Sequence, residues 1–142
     1  MKATAAKNTT TSLNAELIEE TFQMLAPRAD ALAKKFYSEL FKRYPEVRPL
    51  FGRTSMAEQR KKLVAALSVV VNHVRKPRQL QKILRELGAR HQEYGAEPAH
   101  YGAVAETLLD VMEEFAGAAW TQEVNDSWSA ALNMVAATMV KG

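Results

Sequence analysis

Apolar positions recur at helical spacing along nearly all of this chain, and no segment shows sustained alternation of apolar and polar residues. The first stripe, Leu17, Ile18, Thr21, Phe22 and Leu25, predicts a helix capped by Ser12 with Glu16 soon after. Pro27 suits the first turn of a second helix, whose stripe of Leu32, Phe36, Leu40 and Phe41 ends near Tyr44. Pro45 then opens a short turn, "PEVRPLF", and "GRTS" at 52–55 reads as a loop. A third helix is expected from about Met56 to Val74, with Leu63, Leu67, Val70 and Val74 inward. It includes "LSVVVNHV", the one β-branched stretch, and Pro77 breaks it. A fourth helix spans about 78–91. After the turn "GAEP", a fifth covers about 98–116 with Tyr101, Val104, Leu108, Val111, Met112 and Phe115, and Gly117 ends it. The last helix runs from Thr121, its cap, to about Val140.

The fourth helix raises a chemical question. Leu80, Ile83, Leu84 and Leu87 form its stripe, and His91 stands four residues further on, where another leucine would fit. An imidazole buried among leucines needs partners for both nitrogens: two polar neighbours, or one polar neighbour and a metal. A packed core histidine is the plainer of the two. The chain has three histidines, His73, His91 and His100, and no cysteine. That leaves no disulfide framework, no thiolate chemistry and no cysteine-ligated zinc or iron–sulfur site. If His91 holds a metal, one protein ligand must suffice. Haem allows this, because the porphyrin supplies four nitrogens and the protein one axial imidazole. On the third helix Gln59 lies one turn before Leu63, a polar residue opening an apolar face. On the second, Tyr37 sits beside Phe36.

Length and composition narrow the picture further. With 142 residues, the chain suits one domain, and residues 1–12 ("MKATAAKNTTTS") read as a tail ahead of a domain at 13–142. No apolar run approaches the roughly 18 residues of a membrane span. The tail lacks the apolar core of a secretory signal, so a cytoplasmic protein without a membrane partner is expected. The formal net charge is +3, too mild to imply nucleic acid, and "RKK" at 60–62 and "RKPR" at 75–78 read as solvated helix edges.

Several pieces carry a family resemblance: "FYSELFKRYPEVRPLF", "EQRKKLVAAL", "LGARHQEYG", "EPAHYGAVAETLL" and "WTQEVNDSW". Over about residues 13–140 the sequence resembles bacterial single-domain globins, close to the haem domain of flavohaemoglobins and to neuroglobin-like bacterial globins. The resemblance implies an all-α globin fold, a three-over-three helical sandwich of about seven to eight helices, holding haem b. It makes His91 the iron ligand, Phe51 the ring stacked on the porphyrin, and Tyr37 and Gln59 the distal hydrogen-bonding pair. Leu63 would restrict the distal cavity. Leu87, Tyr101 and Val104 would border the haem, and Lys62 would reach a propionate. The implied partners are O2, NO and CO, bound reversibly and with high affinity; a monomer or weak homodimer is expected. Nitric oxide dioxygenation would need a separate reductase, since the flavin and nicotinamide reductase of flavohaemoglobins is not in these residues. Whether the chain is an enzyme therefore stays open, and no catalytic residue is assigned. Flavohaemoglobins also carry a late glutamate behind the proximal histidine, whereas no acidic residue follows Asp126 here. Leu132 stands where the family often has a tyrosine. The alternative is a globin-shaped sensor or interaction module that signals through a partner.

Overall fold

The computed structural model describes residues 14–141. The expected Ser12 cap and the 1–12 tail lie outside the described residues. Six α-helices follow one another: α1 (Ala15–Leu25), α2 (Ala29–Arg43), α3 (Met56–Asn72), α4 (Pro77–Glu93), α5 (Pro98–Ala116) and α6 (Gln122–Val140). Three 3-10 segments, Ala26–Arg28, Pro45–Phe51 and Gly117–Ala119, join them. Against an expectation of seven to eight helices, the short turns are 3-10 rather than α-helical. Pro27 accordingly lies in a 3-10 turn, one residue pair ahead of α2.

Local chemistry sets the boundaries. Asn14 begins α1, its side chain accepting from the Leu17 amide at 3.2 Å. Thr121 caps α6 in the same way, accepting from the Val124 amide at 3.2 Å. Pro77 not only stops α3 but opens α4, where a missing N–H costs nothing. Gly117 ends α5 at φ 58°, a conformation that a side chain disfavours.

The helices stack in two layers, α1, α3 and α4 over α2, α5 and α6, with α2 on α5, α5 on α6, α1 on α3 and α6, and α2 across to α3. A principal core gathers Ile18, Leu32, Phe36, Leu40, Leu108, Val111, Met112 and Trp128. A second, smaller cluster of Val70, Leu80, Leu84 and Met139 lies where α4 meets α6. α4 packs chiefly against α6, and Val70 of α3 joins the same cluster. Gly88 permits the α4–α6 approach, because a methyl group there would overlap the Met139 backbone. Among the described residues, no helix is long and apolar enough to cross a membrane.

Candidate functional site

The candidate residues fall into two sets, one around each hydrophobic cluster. The first is anchored on α2. Tyr37 is buried, with its ring 4.9 Å from Phe36, 5.9 Å from Phe41 and 5.8 Å from Phe51 (centroid to centroid). Phe41 and Phe51 stand 5.4 Å apart, and the Arg48 guanidinium lies 5.0 Å over Phe41. Phe51 reaches this group because the Pro45–Phe51 segment turns tightly after α2, whose end is fixed to α5. Tyr44 donates to Glu106 at 2.7 Å, and Arg43 pairs with Asp110 at 2.8 Å.

From α3, the Gln59 amide donates to the Tyr37 phenolic oxygen at 3.0 Å. Ser55 sets the phase of α3 by accepting from the Glu58 amide, so Gln59 and Leu63 come one turn apart on one face. Burial pushes the Tyr37 phenol above its usual range, and the bond from Gln59 offsets this only in part. The phenol is therefore neutral at physiological pH. Having accepted from Gln59, it keeps its own O–H to donate. Leu63 and Val104 pack half-buried against the principal core. Lys62 is exposed and has no ion pair among the described residues.

The second set belongs to α4 and the start of α5. The His91 ring Nδ1 lies 2.9 Å from the Leu87 carbonyl oxygen; this bond requires Nδ1–H and leaves Nε2 as a lone-pair donor. The ring is half-buried, 6.1 Å from that of Tyr94. His73 makes the same local bond, to Val69 at 2.8 Å, but it caps the end of α3 and has no leucine stripe behind it. His100 is occupied otherwise. Its Nδ1 accepts from the Glu97 amide at 3.0 Å, completing a reciprocal cap that begins α5 and so phases Tyr101. Leu87 and Tyr101 pack against the smaller cluster. The Tyr101 hydroxyl is shielded from solvent and has no hydrogen-bond partner among the described residues; burial raises its pKa.

Among the described residues, no hydrogen bond or ring contact joins the two sets. Phe51, Leu63 and Val104 lie half-buried against the principal core, and Leu87 and Tyr101 half-buried against the smaller cluster. Sequence reasoning missed Phe41 as a site neighbour, though its position four residues after Tyr37 puts it on the same face. It also missed Tyr94, which no periodicity marks.

Residues 34–139 match the family model described as Globin. The chain is 29% identical over 126 residues to a flavohemoprotein of Bordetella pertussis, covering 87% of this chain and 31% of the relative. It is 31% identical over 134 residues to a flavohemoprotein of Pseudomonas putida, covering 90% and 34%. The chain thus spans about a third of the length of these relatives. Among solved structures, a bacterial globin of Campylobacter jejuni superposes with a TM-score of 0.78 at 21% identity, covering 93% of this chain and 94% of that one. An engineered carbene transferase from Rhodothermus marinus, provisionally described as a nitric oxide dioxygenase, superposes with a TM-score of 0.77 at 28% identity, covering 88% and 89%.

Proposed function

Because this chain belongs to the globin family, we propose that it holds haem b through His91 and binds diatomic gases, oxygen first, with high affinity. The residues present fit that group. A bare ion would need several protein ligands, and among the described residues no group of three or more His, Asp or Glu is placed to hold one. A porphyrin needs one imidazole and an apolar slot. Phe51, Leu63 and Val104 from the principal core and Leu87 and Tyr101 from the smaller cluster would border it. The observation that supports this reading most is the place of His91 on the leucine stripe of α4, with its Nδ1 held by the Leu87 carbonyl so that the tautomer is fixed and the free lone pair lies on Nε2.

Haem, when bound, would supply the iron that takes the gas. The chain's own residues do the rest. His91 holds and orients. Phe51 and Leu87 exclude water. Tyr37 presents a neutral O–H, oriented by Gln59, toward any ligand that develops negative charge. Such a donor favours oxygen over carbon monoxide, because only the former becomes strongly polarised. Tyr101 lacks a carboxylate partner, consistent with the absence of acidic residues after Asp126, so no charged relay stands behind the imidazole. That favours binding over vigorous oxygen activation. Nitric oxide dioxygenation, suggested by the description of the Rhodothermus marinus neighbour, would be a secondary activity that depends on an electron donor.

The test is spectroscopic. Purified protein supplied with haem should show a Soret band that shifts under carbon monoxide, and His91→Leu should lose haem. Equal pigment retention by that variant would refute the assignment.

A further inference from the structure

The geometry points to Phe41 and Arg48 as positioning residues that aim the Tyr37 phenol. The inference rests on the haem reading above and deepens it by naming what keeps the distal donor in line. Gln59 fixes the phenolic oxygen at one point, 3.0 Å from its amide nitrogen. A ring held at its tip alone still rocks about that point, and the O–H swings with the ring plane. A hydrogen bond weakens as it departs from linearity, so the donor needs a second support on its flank. Phe41 supplies it. It stands one helical turn after Tyr37 on α2. Its ring lies 5.9 Å from Tyr37 and 5.4 Å from Phe51, while Tyr37 and Phe51 are 5.8 Å apart. The three rings close a triangle, so a turn of one presses on the other two.

Phe36 also touches Tyr37, but it is fully buried and the core holds it. Phe41 is only half-buried, so core packing fixes its ring on one side and leaves the other to a different restraint. Arg48 provides that restraint, with its guanidinium 5.0 Å over the Phe41 ring. The Pro45–Phe51 segment is a 3-10 helix, in which side chains three residues apart eclipse. Arg48 and Phe51 therefore share one face of the segment, and both bear on Phe41. A planar guanidinium on a ring face is a directional contact, which resists a rotation that an aliphatic neighbour would let pass. Arg48 is exposed, and among the described residues its contact with the aromatic group is the one through Phe41. The chain of support thus runs from a surface cation to Phe41, from Phe41 to Tyr37 and Phe51, and ends at the phenolic hydrogen.

The test compares the full chain with Arg48→Met, which keeps the side chain's length but not its charge, and with Arg48→Lys, Phe41→Leu and the double variant F41L/R48M. In the haem-loaded protein, Arg48→Met should release oxygen about two- to fivefold faster, the factor that an exposed cation–ring contact contributes. Phe41→Leu should do so at least as much. Carbon monoxide release should hold at the wild-type rate in Arg48→Met. Arg48→Lys keeps a cation within reach of the ring and should release oxygen nearly as slowly as the wild type. The double variant should be no faster than Phe41→Leu alone, because the cation acts through the ring that is already gone. In NMR spectra, taken with or without haem, the Gln59 side-chain amide should shift in Arg48→Met and return in Arg48→Lys. Unchanged oxygen release in Arg48→Met, or additive effects in the double variant, would overturn the proposal. So would oxygen and carbon monoxide accelerating together, which marks a loosened pocket rather than a misaimed donor. If Phe41→Leu does not fold, the two Arg48 variants decide alone. The amide measurement needs no haem. A Gln59 amide that follows the charge at position 48, in a protein without a Soret band, would uphold the positioning role and sink only the haem reading; an amide that stays still would overturn the role.

Discussion

Gln59 and Tyr37, on different helices and 22 residues apart, share one hydrogen bond at 3.0 Å in which the amide donates and the phenol accepts. The direction matters. A phenol that has accepted retains its own hydrogen for a third party. Tyr37→Phe removes that hydrogen while keeping the ring among Phe36, Phe41 and Phe51. Oxygen release from the haem-loaded protein should then accelerate about tenfold or more, since a hydrogen bond to a charged group contributes about 1.5–3 kcal/mol. Carbon monoxide release should change far less. Stopped-flow measurement of both gases checks this, and an unchanged oxygen rate removes Tyr37 from the role.

The same burial makes a pH prediction. Tyr37 and Tyr101 hold their protons above the ordinary phenol value near 10, in both cases chiefly through desolvation. The unfolded chain loses these protons first, so above about pH 10 the folded state binds more of them. Their stabilising contribution is thus complete below about pH 10 and is lost as the pH rises toward the folded values. Denaturation midpoints should fall as the pH rises above about 10, and Tyr37→Phe should flatten the fall.

Tyr101→Phe tests the unpartnered hydroxyl. Removing a shielded group that bonds to nothing should leave stability unchanged or raise it, by up to about 1 kcal/mol. Thermal unfolding measures this, and a clear loss would mean that the hydroxyl has a partner in solution.

Gly88→Ala probes the seam between α4 and α6. The added methyl meets the Met139 backbone rather than a yielding side-chain tip, so the helices must separate. Overpacking of this kind costs about 1–3 kcal/mol. Because His91 is three residues further along α4, haem should also dissociate faster. Chemical denaturation and transfer of haem to an acceptor protein read the two effects separately.

Much of this was legible in the residues. The stripes through Leu80, Leu84 and Leu87 placed α4, Thr121 announced its own cap, and the spacing of Gln59 and Leu63 put both on one face. These are local signals, fixed by helix geometry. Other features depend on how distant segments meet. Gly88 reads as an ordinary small residue until Met139 arrives opposite it. The local bond of His91 is shared by His73, so hydrogen bonding alone does not single out one of them; the surrounding leucines do. The pairing of Arg75 with Glu19 crosses from α1 to the end of α3, and no spacing rule encodes it. The "RKPR" cluster thus looked uniform in sequence and is not.

α4 leans chiefly on α6, fastened by the Gly88 contact and by Gln92, whose amide donates to the Val140 carbonyl at 3.1 Å. A helix held mainly along one seam opens its amides to solvent exchange when that seam parts. The imidazole therefore rides on a leaf hinged along one seam, and the fit of a single glycine against the closing turns of α6 sets how long that leaf stays shut.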